Sequence, residues 1–276
     1  MNTTLQPSRF FFAAALIALG VTGLANGDFA LVWQSVPAHL PGRGVIAYVC
    51  AIIELALGIG LLWTPATTLA CRVLFPYMVL WLVLLEVPGV IKSPLDAGAW
   101  GSIGEIGAMT AGAWCLFADR AGAWELSHLG FAVGPAGIRA ARWLLVIALA
   151  GLAAEVIVDA MKFGDGVMQP WLKWLPHPAA WAVLTGVASG AACLALLFHI
   201  VPRLAATMEA AMIACIGVVY WAPDLHTGRT ATTAFIITLL VSAGIWLVAD
   251  TYRETAKEAS GRGKWAFARQ RGRAVN

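Results

Sequence analysis

Charge is scarce in this chain. Of 276 residues only 12% are charged while 60% are hydrophobic, a balance that excludes a soluble monomer and calls for a membrane. Paired cysteines are missing too: Cys50, Cys71, Cys115, Cys193 and Cys215 all lie in or beside apolar runs and form no CxxC, so neither a disulfide framework nor a zinc or dithiol motif is expected. No P-loop is present, no GxGxxG follows a strand, and no soluble domain is left to hold flavin or nicotinamide. His39, His128, His177 and His226 fall in predicted loops and His199 at a helix end, which argues against the facing intrahelical histidines that ligate haem b. No catalytic motif, metal site or nucleic-acid partner is therefore expected, and no cofactor is held covalently or by motif. The N-terminus lacks a basic region, short apolar core and cleavage site in succession, so Arg9 onward reads as a retained first helix.

What the chain does have is apolar runs of bilayer-spanning length. Eight are found, at 9–27, 44–63, 69–87, 100–118, 142–161, 179–198, 205–222 and 231–250, predicting an all-α polytopic membrane protein of about eight transmembrane helices. Arg and Lys concentrate in the tails and even-numbered loops. That bias places both termini in the cytoplasm of a bacterial-type inner membrane. The tail at 251–276 is basic, carries Trp265 and Phe267, and is expected to rest on anionic headgroups.

The runs repeat. Leu40 to Trp63, LPGRGVIAYVCAIIELALGIGLLW, returns as LPHPAAWAVLTGVASGAACLALLF from Leu175 to Phe198, with Ser189 where Glu54 stood. Arg9 and Arg142 each open a helix, EVPGVI is echoed by WAPDLH, and WCLFAD from Trp114 by WLVAD from Trp246. Two four-helix bundles are expected, 1–119 and 142–250, related as parallel repeats about an axis along the membrane normal. Residues 120–141 form an amphipathic, glycine-broken cytoplasmic linker with room for one short interfacial helix.

Each half resembles the DoxX-like four-helix unit: an Arg-initiated first helix, an outer loop with aromatic and Pro residues, and a second helix in which an acid precedes small residues and GxGLL, here ELALGIGLL from Glu54. Lys162-Phe163 matches the Lys-aromatic end of that family's first helix. Glu54, Gly58, Gly60 and Glu105 are the positions carried over. Two departures stand out: Cys71 precedes Arg72 where the family usually has Thr-Arg, and the second half lacks the helix-two acid. The resemblance implies a membrane subunit of redox complexes, including quinone-linked sulfur oxidation and oxidative-stress assemblies. It implies quinone as cofactor and other membrane or peripheral redox subunits as partners.

The intramembrane acids are the candidate site residues. Glu54 shares a helix face with Cys50 and Gly58, four residues either way, so it points at a close neighbour and not at lipid. It is either a neutral, hydrogen-bonded packing residue or a functional acid. Glu86, Glu105, Glu155 and Asp159 gather toward the outer face, and Gly151, Glu155, Asp159 and Lys162 make a polar stripe on one helix. These acids are not duplicated with the helices, so they read as one asymmetric site between the halves or as an internal Lys-carboxylate network. Trp171 and Trp174 belong to an interfacial belt and can line the rim of a quinone or lipid pocket. Beside the redox subunit stands a second function class, a small proton-coupled transporter with its substrate site between the halves.

Overall fold

The computed structural model describes residues 6–30, 33–164 and 176–273, from residue 254 as backbone only. Among these residues the regular structure is helical: α1 (Pro7–Asn26), α2 (Arg43–Leu62), α3 (Thr67–Trp81), α4 (Val87–Lys92), α5 (Ala97–Asp119), α6 (Ala123–His128), α7 (Gly134–Phe163), α8 (Pro178–Leu197), α9 (Pro202–Ile216) and α10 (Arg229–Arg273). Seven rods are long and apolar enough to cross a membrane: α1, α2, the continuous Thr67–Lys92, α7, α8, Pro202–Asp224 and Arg229–Arg253 within α10. The remaining predicted span, 100–118, is α5. It is as long as the others, but its glycines, Ser102 and Glu105 make it less apolar. More than half of its residues are buried, so it meets protein along most of its surface, as α10 does, where the remaining rods present apolar side chains outward. Those outward side chains include Val45, Ile52, Leu69, Leu84, Leu184 and Leu194, a surface suited to lipid.

Two rods carry the same irregularity. A π-helical turn at Leu82–Glu86 joins α3 to α4, and another at Gly217–Trp221 follows α9. Each is followed by a proline, Pro88 or Pro223. A proline has no N–H to donate and its ring crowds the carbonyl four residues back, here Leu84 or Val219, so the turn before it widens.

The rods close into two rings that share one edge. α1, α2, α3, α5 and α10 contact in that order and close back on α1; α7, α8, α9, α10 and α5 do the same. The first helix of the chain therefore packs on the last, and α7 packs on α5. Residue contacts separate two faces. At one, Ser8 Oγ donates to Asp250 Oδ2 at 2.6 Å, Arg142 Nε donates to Thr251 Oγ1 at 3.0 Å, and the Arg142 guanidinium lies 3.8 Å from the Tyr252 ring centroid. At the other, Asp28 binds both Arg43 and Arg229. We call these the terminal face and the opposite face.

The ends of the predicted segments shift for local reasons. α7 begins at Gly134, before residue 142, because Pro135 supplies a helix-ready φ in its first turn and lacks an N–H that would go unsatisfied. The linker contributes the short α6, whose Glu125 carboxylate accepts from the Gly122 N–H at 2.9 Å and pairs with Arg72. α10 continues to Arg273, so the basic tail prolongs the last helix. The loop after α1 turns inward: Phe29, Trp33 and Gln34 are buried within the first ring.

Candidate functional site

Glu54 lies at the centre of the first ring. It is 2% exposed, and Gly58, one turn on, lets α1 come so close that a Cβ there would stand 2.8 Å from the Ala13 carbonyl oxygen. The inward loop supplies a partner, since Gln34 Nε2 donates to Glu54 Oε1 at 2.8 Å while Gln34 Oε1 accepts from the Ala30 N–H at 3.0 Å. α3 supplies the other: the Tyr77 hydroxyl donates to Glu54 Oε1 at 2.8 Å. Trp33, Tyr77 and Trp81 enclose this node with ring centroids 6.1 to 6.4 Å apart. Burying the carboxyl in hydrocarbon requires such donors, so the loop must fold in for α2 to keep its acid.

The corresponding place in the second ring also holds an acid, on a different helix. Ser189 of α8 donates to Glu209 of α9 at 2.7 Å, and Glu209 is 2% exposed. Ser189 is the residue that aligns with Glu54 in the sequence, and its hydroxyl is bound to a carboxylate from the next helix.

The other candidate acids gather toward the opposite face. Ser102 of α5 lies near Glu86 at the end of the π-turn, and Glu105 lies within electrostatic reach of Glu86. Glu155 of α7 sits over Gly101, where a Cβ would overlap its carboxylate, and is near Glu105, Asp159 and Asp96. Lys162 is exposed at the end of α7, its Nζ 5.0 Å from the centroid of the Phe163 ring. Among the described residues it forms no ion pair, so the carboxylates gather without the cation that the Lys-carboxylate reading requires. Within the second ring, Glu105 opens onto a cavity of about 160 Å³ lined with Thr185, Ser189, Thr238 and Trp221. Among the described residues no three His, Cys, Asp or Glu side chains group as a metal would need.

Two larger spaces are grooves between rods. One, about 640 Å³, lies between α3, α5 and α7, with α6 at its mouth; Phe75, Thr110, Trp114 and Leu144 line it, and Arg72 and Glu125 stand at its end toward the terminal face. The other, about 440 Å³, lies between α9, α10 and α1 and is lined by alanines with Phe11, Ser242 and Trp246. The Phe75 ring is sandwiched by Trp114 and Phe117, at centroid distances of 5.0 and 5.2 Å, which gives the first groove an aromatic wall. These volumes suit a bound small molecule or lipid chain.

Glu54 and the Glu86, Glu105 and Glu155 group thus occupy separate places, and Asp159 lies beyond the latter on α7. Trp171 and Trp174 lie outside the described residues. Gln34, Tyr77, Glu209 and Thr110 were not singled out from the sequence. Glu209 alone had a visible signal, a lone acid in an apolar run. No family model, no curated protein and no solved structure matches this chain.

Proposed function

We propose that this protein is the membrane subunit of a redox-linked assembly, taking a quinone or similar lipid-soluble molecule from the bilayer and offering docking surface to partners that carry the redox centre. The observation that carries this reading is the groove between α3, α5 and α7, about 640 Å³ of apolar space beside the membrane with an aromatic wall. The DoxX-like pattern supports the redox setting, and Glu54, the acid of that pattern, is buried one turn from Gly58.

The proposal includes a tandem duplication of a four-helix unit. Support comes from the two rings, which exchange when each helix is replaced by its counterpart in the other half, and from the matching π-turns before Pro88 and Pro223. The grooves exchange in the same way, Trp114 for Trp246 and Thr110 for Ser242. It also places both termini on the cytoplasmic side of a bacterial-type inner membrane, from the one-sided distribution of Arg and Lys.

Extraction of the protein, purified in mild detergent, tests this reading directly. Stoichiometric quinone in the extract together with a co-purifying redox subunit is the expected result; neither being present overturns it. A second reading, proton-coupled transport, is favoured by the Glu105 cavity inside the second ring. It predicts that the protein alone, reconstituted in liposomes, dissipates a substrate gradient in response to pH, and that Glu105→Gln stops this.

A further inference from the structure

Thr110 is the anomaly of the groove between α3, α5 and α7. Its side chain is fully buried, at 0% exposure, and its hydroxyl has no hydrogen-bond partner. Other threonines in these rods satisfy theirs on a carbonyl three or four residues earlier: Thr22 on Ala18 and Leu19, Thr185 on Ala182, and Thr238 on Ala234. The counterpart of Thr110 on α10, Ser242, reaches across to the Ala210 carbonyl of α9 at 2.6 Å. A hydroxyl in hydrocarbon has no water to turn to, so a missing partner is costly. Thr110 borders the groove with no surface open to it, so a ligand supplies that partner by displacing a neighbouring side chain of the wall.

Depth narrows what that ligand is. Thr110 stands thirteen residues into α5 and nine from its end, about 20 Å and about 14 Å along the axis at 1.5 Å per residue. In a hydrocarbon core about 30 Å thick this is close to the midplane. The ester groups of a phospholipid lie at the edges of that core, and its tails carry no acceptor to offer at this depth. A quinone ring, by contrast, brings two carbonyl oxygens among the tails. Its flat ring suits the face made by Trp114, Phe75 and Phe117, and its isoprenoid chain suits the apolar remainder of the groove.

We infer that this groove holds the ring of an isoprenoid quinone, with the Thr110 hydroxyl donating to one ring carbonyl. The inference rests on the quinone reading above and assigns the ring to a residue of that groove.

The full chain in phospholipid nanodiscs, titrated with a benzoquinone carrying one isoprene unit and followed by quenching of tryptophan fluorescence, tests it. Saturable binding is expected. Thr110→Val should raise Kd about five- to tenfold, the loss of one buried hydrogen bond, while Thr110→Ser should bind as the unaltered chain does. Leu144→Trp fills the groove without touching the hydroxyl and should abolish saturation. Ala211→Leu obstructs the other groove and should leave it intact. Binding that is unchanged in Thr110→Val and Leu144→Trp, or lost only in Ala211→Leu, overturns this assignment and leaves a quinone-binding protein. No saturable binding by the unaltered chain overturns the assignment and the quinone reading together.

Discussion

Gly112 and Gly244 meet backbone to backbone where α5 crosses α10: a Cβ on Gly112 would stand 2.6 Å from the Gly244 Cα, and one on Gly244 would stand 2.7 Å from the Ala108 carbonyl oxygen. Each glycine lies two residues before the tryptophan of its half, Trp114 or Trp246. They are therefore equivalent positions in the proposed duplication, and their contact marks where its axis would pass. Small residues admit such an approach, which brings close a helix pair that lipid alone would not drive together.

Side chains at this crossing should open the edge that the two rings share. Gly112→Leu and Gly244→Leu should each destabilise by about 1–3 kcal/mol or more, since backbone cannot move aside as a side chain can. Gly44→Leu serves as the control, because nothing lies within 4 Å of a Cβ there. Thermal unfolding in detergent reads the difference. Equal midpoints for all three variants would mean that the two backbones do not meet closely at this crossing.

The Glu54 node makes a graded prediction. Tyr77→Phe removes one donor and should cost about 0.5–1.5 kcal/mol, whereas Gln34→Leu also strands the Ala30 N–H and should cost more. Glu54→Gln keeps a polar group in place and should express normally. If Glu54 carries a proton, activity is lost in that variant with the fold intact; if it only packs, both survive.

Asp28 ties the α1–α2 loop to α10, and its acid dependence has a definite sign. Partial burial pushes its carboxyl upward, but the hydrogen bond from Arg229, the Phe29 N–H and the charges of Arg229 and Arg43 outweigh that and hold it below its ordinary 3.8. A carboxyl lowered on folding contributes stability that is present above its unfolded value and lost as pH falls through the folded one. The chain should thus lose stability below about pH 4, and Asp28→Asn should remove that part of the loss. With side chains 22% and 27% exposed the pair contributes modestly, about 0–1 kcal/mol. Unfolding midpoints of the two proteins between pH 3 and pH 6 make the comparison.

Topology can be read with single cysteines in a background lacking the native five. Ser35 is exposed in the loop that follows α1, on the opposite face, and should label from outside the cell. Ser260, on the prolongation of α10, should label only after permeabilisation. The reverse pattern would invert the proposed orientation.

The sequence made the rods legible because apolar length is a local property, and it made the burial of Glu54 legible because Cys50 and Gly58 mark one face of one helix. Its partners were not legible. Gln34 lies in a loop that reads as solvent-exposed, and only the tertiary fold brings it and Tyr77 to the same oxygen. Glu209 was passed over for a related reason, since Ser189 was compared with Glu54 along the aligned helix while the acid sits on the neighbouring one. The length of α10 was hidden because its last residues carry no apolar periodicity, only residues that tolerate a helix. Thr110 looked ordinary, as a threonine in an apolar helix normally bonds its own backbone.

The carboxylates at the opposite face give the last test. Had Lys162 closed a network with Glu155 and Asp159, removing any one member would strand a buried charge, at a cost of about 3–5 kcal/mol. Lys162 instead extends over Phe163, and among the described residues the acids crowd one another with no cation paired to them. Neutralising one should then relieve repulsion. Glu105→Gln and Glu155→Gln are expected to leave the unfolding midpoint unchanged or raised, Lys162→Met to do nothing measurable, and Asp159→Asn to have a small effect because that residue is partly exposed. If the acids serve the Glu105 cavity, the first two variants should at the same time lose ligand binding or transport. A clear drop in stability for Lys162→Met, restored when Glu155→Gln and Asp159→Asn are added, would show that the lysine does pair with these carboxylates in the membrane and that the cavity is lined by a structural charge network.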